Sequence, residues 1–352
     1  MNVYRPASVI MIMKRSRFIL GFLFASTIIV FVLVQFRYKP SPMSIQEEAK
    51  LKEEINKRLF TLAFPVNNNN TQSNSTYNYT LPHNYKLVIN NPDVCLYDNG
   101  TDKDVYLLVL VLTMHKNKYQ RQIIRETWAS PKEIGGKKIV TMFLLGKIND
   151  KRLVHSVEEE NMKFKDILME DFIDTYVNLT LKTIMGMKWA SMFCPSAKYV
   201  MKTDDDMFVH YGNIIKYLST DPEDKQEKLA AGVLMKGGPI RNKKSKWYMP
   251  YELYPGKTYP PFLSGTGYLM SGDVARDTYI HSQNATFLYL EDVFCGTVWQ
   301  KLGIIPRKMK EFHNSRVPYS VCRYRKIVTS HQMPTRQLPR MWKDLKSNKA
   351  RC

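Results

Sequence analysis

The sequence predicts an α/β protein with a Rossmann-like, three-layer core, and two observations carry that expectation. Apolar runs of strand length, rich in β-branched residues, recur between segments of helical spacing at 105–113, 139–146 and 199–201. The last of these runs ends in Asp204-Asp205-Asp206. In open α/β sheets, ligands bind beyond the carboxyl ends of the strands, where this triplet would sit. Three adjacent acids repel one another, so the triplet reads either as a solvated acidic turn or as a site with an offsetting cation.

The remaining elements follow in order. Residues 118–128 have helical spacing, with Arg121 and Arg125 four apart on one face. The pair is positioned either to reach a phosphate or to be solvated. After a Gly135-Gly136 turn and the 139–146 strand come a charged helix over 151–165 and a short strand over 166–169. The acids Glu170, Asp171 and Asp174 then read as catalytic or, the preferred reading, as loop capping, and 179–193 as a helix. Beyond the triplet, 229–234 is a strand, while 246–250 and 259–262 are aromatic loops containing Trp247 and Tyr259. In 264–268, Gly265 and Gly267 allow close backbone approach to a ligand, without forming a dinucleotide fingerprint. Glu291 and Asp292 stand at the start of a helix that stops near Gly303. Asp292 is either an acidic cap or a base kept ionised by the helix dipole. His331, after a strand-like run, is either a loop histidine or the completion of a metal site.

The chain has 352 residues, 44% of them hydrophobic, and a formal charge of +20. That charge is spread along the chain without a basic block, so it suits an anionic substrate such as a nucleotide as well as a nucleic acid. The N-terminus narrows the choice. Residues 18–36 form a 19-residue uncharged run, flanked by more cations before it than after it. Such a run is long enough to span a bilayer, and the charge bias leaves residues 1–17 in the cytosol. A single-pass type II membrane protein is expected, with a stem over 37–92, including a charged helix over 44–62, and a luminal domain over 93–352. Six Asn-x-Ser/Thr sequons, at Asn69, Asn74, Asn78, Asn99, Asn178 and Asn284, all lie on the translocated side. Topology and sequons together argue against a nucleic-acid partner. The five cysteines lie in a disulfide-permitting compartment, contain no CxxC pair, and leave at least one thiol free or pairing between chains.

Several collinear segments resemble one family. They are Arg121 to Trp128, Phe143 to Gly146, Asp171 to Lys182, Lys202 to Val209, Tyr259 to Ser271, Glu291-Asp292-Val293 and Ser330-His331. Together they resemble the β-1,3-glycosyltransferases of glycosyltransferase family 31, and most closely the β-1,3-galactosyltransferase branch. The resemblance implies a GT-A-type fold, a Golgi membrane location and an inverting reaction with a UDP-sugar donor. It implies that Asp204 and Asp205 bind the donor, that Asp206 and His331 ligate Mn²⁺, and that Arg121 and Arg125 hold the diphosphate or the loop around it. Asp292 is the implied base, with Glu291 as the alternative. Trp247, Tyr259, Gly265, Gly267 and Glu291 line the acceptor and sugar loop. The implied reaction moves galactose from UDP-galactose to the 3-hydroxyl of a terminal N-acetylhexosamine on a glycan. UDP-N-acetylglucosamine as donor, and a silent membrane-anchored lectin or chaperone, are the alternatives. A homodimer is left open. Relatives often carry Cys at the positions of Leu263 and Val298, so disulfides do not transfer directly. Cys95 with Cys194, and Cys295 with Cys322, are the candidate pairs.

Overall fold

A computed structural model describes residues 85–220, 227–347 and 352. The expected cytoplasmic tail, apolar span, helix over 44–62, most of the stem and the sequons at Asn69, Asn74 and Asn78 lie outside these residues. Among the described residues, no helix is long and apolar enough to cross a membrane.

In chain order the strands are β1 (Leu87–Ile89), β2 (Val105–Leu112), β3 (Glu133–Ile134), β4 (Lys137–Lys147), β5 (Ile167–Ile173), β6 (Tyr199–Asp204), β7 (Phe208–Val209), β8 (Ala230–Met235), β9 (Phe262–Ser271), β10 (Arg307–Lys308) and β11 (Thr329–Ser330). The helices are α1 (Lys118–Glu126), α2 (Lys151–Phe164), α3 (Leu179–Phe193), α4 (Tyr211–Thr220), α5 (Gly272–Ser282), α6 (Glu291–Lys301), α7 (Val321–Tyr324) and α8 (Leu338–Lys346). The main sheet runs β1-β5-β4-β2-β6-β9-β8-β10, with β3 attached to β4. Its centre, β5-β4-β2-β6, is parallel, and β9 enters antiparallel between β6 and β8. β2 alternates its side chains between two cores. Leu108, Leu110 and Leu112 join Trp189 and Trp299 on one face, while Leu107, Val109 and Val111 join Trp128 and Tyr211 on the other. A strand covered by helices on both faces must be apolar at every position, which is why it reads as a continuous run.

Three expectations are corrected here. The sheet starts with β1, which pairs with β5 from inside the range assigned to the stem, so the folded unit begins before residue 93. β5 continues past Met169 through Ile173, so Glu170 and Asp171 are strand residues and not loop caps. Glu170 is buried against Lys188 Nζ at 2.8 Å, and Asp171 accepts the Lys86 N–H at 2.8 Å. The segment 264–268 lies inside the ten-residue strand β9, not in a loop.

Cys95 is bonded to Cys194, which follows α3, and Cys322 is bonded to Cys352. The Cys295–Cys322 pairing is therefore corrected: Cys295 is a free thiol buried in α6. The Cys95–Cys194 bridge closes a sequence separation of 99 residues. Replacing both cysteines by Ser is expected to cost about 2–5 kcal/mol, read as a lower denaturation midpoint. An unchanged midpoint would contradict this. Of the described sequons, Asn99 and Asn284 are exposed, whereas the Asn178 amide donates to Ile173 O at 2.8 Å and the Thr180 hydroxyl donates to Leu288 O at 2.7 Å.

Candidate active site

The acidic triplet sits where β6 ends, at the carboxyl edge of the parallel strands. Each of its members has a different environment. Asp205 turns inward, and its Oδ2 accepts from Thr113 Oγ1 at 2.6 Å and Asn117 Nδ2 at 2.8 Å. Burial raises its pKa, and those two donors pull it back. Asp204 Oδ1 accepts from Lys202 Nζ at 2.8 Å. Asp206 meets His331 through a second, small ladder, in which β7 pairs antiparallel with β11 in the register Phe208↔Ser330. That register carries His331 back beside the triplet. Met333 N–H donates to Asp206 O at 2.8 Å, and His331 Nε2 lies 3.2 Å from Asp206 Oδ2. The hydrogen bond to Asp206 raises the His331 pKa. His331 Nδ1 donates to the Asn314 carbonyl at 3.1 Å, and Asp206 Oδ1 is buried without a hydrogen-bond partner.

Sequence reasoning did not assign Lys202 a role. Its side chain, on the same face of β6 as Asp204, is only 2% exposed. Its ammonium contacts Asp204, Glu291 Oε2 at 3.4 Å and the Gly265 carbonyl. Burial opposes this charge, but Asp204 and Glu291 more than offset it and raise the pKa. The cation that the triplet called for is thus in part a lysine two residues upstream. A charged residue inside an apolar strand, at i−2 from the first aspartate, was the available signal.

Glu291 and Asp292 open α6, whose first turn favours negative charge. They face opposite ways. Glu291 is buried, accepts from Tyr268 Oη and lies 3.9 Å from the Cys295 thiol. Burial raises its pKa to about 7. Asp292 is half-buried; its Oδ1 accepts the Val293 N–H at 2.9 Å and its Oδ2 the Gly265 N–H at 3.4 Å. Burial raises its pKa as well. Glu291 as the alternative base is therefore corrected: its carboxylate faces Tyr268 and Lys202 in the interior, out of contact with solvent. The glycines of β9 have steric reasons. A Cβ on Gly265 would stand 2.9 Å from Glu291 Oε2, and one on Gly267 would stand 3.3 Å from Thr203 Oγ1.

The arginines lie elsewhere. Arg121 is fully buried and holds Glu160 through two bonds of 2.9 and 2.6 Å, while donating to Met114 O at 2.7 Å. Arg125 pairs with both oxygens of Asp166 at 2.8 Å and with Glu160 at 2.7 Å. The diphosphate contact is corrected, because this helix face turns into the protein against α2. Arg121 holds the loop after β2, the other role expected of the pair. Trp247 is 49% exposed, with Lys246 Nζ 4.5 Å above its ring. Near it, Tyr176 is a half-exposed tyrosine that feels the charges of Asp292 and Asp204 and that sequence reasoning left without a role. Tyr259 packs against Tyr254 and Phe262, with ring centroids at 4.9 and 6.1 Å.

The site thus brings together a half-buried carboxylate at a helix start, a carboxylate–imidazole pair and exposed aromatic rings. The Galactosyltransferase family model matches residues 119–310. Beta-1,3-galactosyltransferase 1 from Mus musculus, and the same protein from Homo sapiens, are each 46% identical over 273 residues, covering 77% of this chain and 82% of theirs. Beta-1,3-galactosyltransferase 2 from Mus musculus is 39% identical over 274 residues, covering 76% of this chain and 64% of its own. The protein is a glycosyltransferase. It belongs to the galactosyltransferase family.

Proposed function

We propose that the chain is an inverting β-1,3-galactosyltransferase that moves galactose from UDP-galactose to the 3-hydroxyl of a terminal N-acetylhexosamine. The observation that carries the reading is Asp292, half-buried between β9 and α6 and held by the Gly265 and Val293 N–H groups. The relatives' names favour galactose over N-acetylglucosamine. Asp292 takes the proton of the acceptor 3-hydroxyl while that oxygen attacks the anomeric carbon. The bond to UDP breaks on the opposite face, which inverts the centre. Trp247 and Tyr176 offer ring faces for the acceptor sugar.

Mn²⁺ belongs to the same reading. Among the described residues there is no group of three or more His, Cys, Asp and Glu that could hold a metal ion. Asp206 and His331 are the residues that would hold one. Asp206 Oδ1 is an orphaned buried oxygen, and the Nδ1 bond to Asn314 leaves His331 Nε2 facing Asp206. When bound there, the ion would neutralise charge on the leaving diphosphate. The apolar run over 18–36 and the six sequons support a type II Golgi membrane protein with its enzymatic domain in the lumen.

The test is incubation of the purified protein with a panel of UDP-sugars and an N-acetylglucosaminide, with Mn²⁺ or EDTA. Transfer from UDP-galactose, lost with EDTA and lowered at least about 100-fold by Asp206→Asn, is expected. Transfer indifferent to EDTA would remove the metal, and transfer only from another UDP-sugar would remove the donor assignment.

A further inference from the structure

One buried ion pair joins the carboxyl ends of three parallel strands, and no catalytic role yet accounts for it. Lys182, on α3, is 1% exposed. Its ammonium lies 2.7 Å from Asp174 Oδ1 and donates to the Thr113 carbonyl at 2.8 Å. Asp174 Oδ2 accepts the Gly146 N–H at 3.0 Å, and the Asp174 N–H donates to Lys147 O at 2.9 Å. Thr113 follows β2, Gly146 lies near the end of β4 and Asp174 follows β5. Stability alone is a weak reason to bury this pair, because apolar residues of similar volume usually do as well or better. What the pair does supply is a fixed position for Thr113.

Thr113 leads directly to the site. The same residue whose carbonyl is held by Lys182 turns its hydroxyl to Asp205 Oδ2 at 2.6 Å, and Asn117, four residues on, holds that oxygen from the other side. Arg121 supports this loop through the Met114 carbonyl. We propose that Lys182 and Asp174 are positioning residues for nucleotide binding, acting through Thr113 on the placement of Asp205. The inference rests on the donor-site reading above and deepens it. It also gives a physical reason for the spacing Asp174 to Lys182. The acid follows β5, and the lysine sits one turn into α3, where its ammonium meets both Asp174 and the Thr113 carbonyl.

Isothermal titration of full-length protein with UDP and Mn²⁺ tests this, with donor KM and kcat measured on the same variants. Lys182→Met is expected to weaken UDP binding by at least about tenfold and to raise donor KM more than it lowers kcat. Thr113→Val is expected to weaken UDP binding too. The double variant should bind no worse than Lys182→Met, since both changes act through one contact. Asp174→Asn keeps the size and the Gly146 bond while dropping the charge, and is expected to follow Lys182→Met if the latter does not fold. A folded Lys182 or Asp174 variant with wild-type UDP affinity, or additive effects in the double variant, would overturn the inference. Wild-type protein that does not bind UDP would instead remove the underlying donor-site reading.

Discussion

Replacing Asp292 by Asn is expected to lower kcat by about 10²–10⁴-fold while leaving UDP affinity and the melting temperature near their wild-type values. The amide keeps the shape of the side chain and can still accept the Val293 N–H. It cannot take the acceptor's proton at neutral pH. Because burial raises the Asp292 pKa, the acid limb of the wild-type kcat–pH profile should lie above the ordinary aspartate range of about 3.9 and flatten in the variant. Glu291 provides the contrast. Glu291→Gln changes a buried carboxyl bonded to Tyr268, so its effect should fall on stability before chemistry. An Asp292→Asn enzyme with undiminished kcat would show that the proton leaves by another route.

Lys202→Met is expected to be the most damaging single change to the fold of the site. It removes the ammonium from between Asp204 and Glu291 and leaves both without a cation at hydrogen-bonding distance. Breaking a buried pair in this way costs about 3–5 kcal/mol, several times an average substitution. The loss should depend on pH. Glu291 has a folded pKa of about 7, against 4.5 for the free group, so it binds its proton more tightly in the folded state. Its favourable contribution is then complete below pH 4.5 and is lost as the pH rises through 7. Without Lys202 the Glu291 pKa rises further and that loss continues to higher pH. Denaturant midpoints of wild type and variant from pH 5 to about 9 would show curves that diverge toward the alkaline end. Parallel curves would mean that Lys202 does not carry the charge balance assigned to it.

Much of the core was legible because a two-sided strand has a simple code. Residues 105–112 must be apolar throughout when helices cover both faces, and the helix α1 between two such strands shows the other period. β9 was not legible. Its glycines signal a loop by propensity, but a Cβ would clash with Glu291 at Gly265 and crowd Thr203 at Gly267. Spacing put Arg121 and Arg125 on one face, yet it could not say that the face is buried. That depends on Glu160, which arrives from α2.

The site divides in the same way. Asp204–Asp206 were visible as a local run, and Asp292 and His331 as candidates at a helix start and after a strand-like run, while their roles came through resemblance. How they meet is a matter of register: β11 on β7 for His331, and β9 beside α6 for Asp292. Lys202 lies only two residues from Asp204, but other partners were hidden by their distance in sequence, Thr113 from Asp205 and Glu291 from Lys202. Cys295 looked available for a bridge by its place in the helix, but it faces Tyr268 inside the core while Cys322 bonds Cys352.

The most direct measurement is the configuration and linkage of the product. The purified protein is given UDP-galactose, Mn²⁺ and an N-acetylglucosaminide, and the disaccharide is read by NMR. The account predicts galactose attached through a β bond to O3, the outcome of one displacement assisted by Asp292. An α-linked product, or attachment at another hydroxyl, would contradict it.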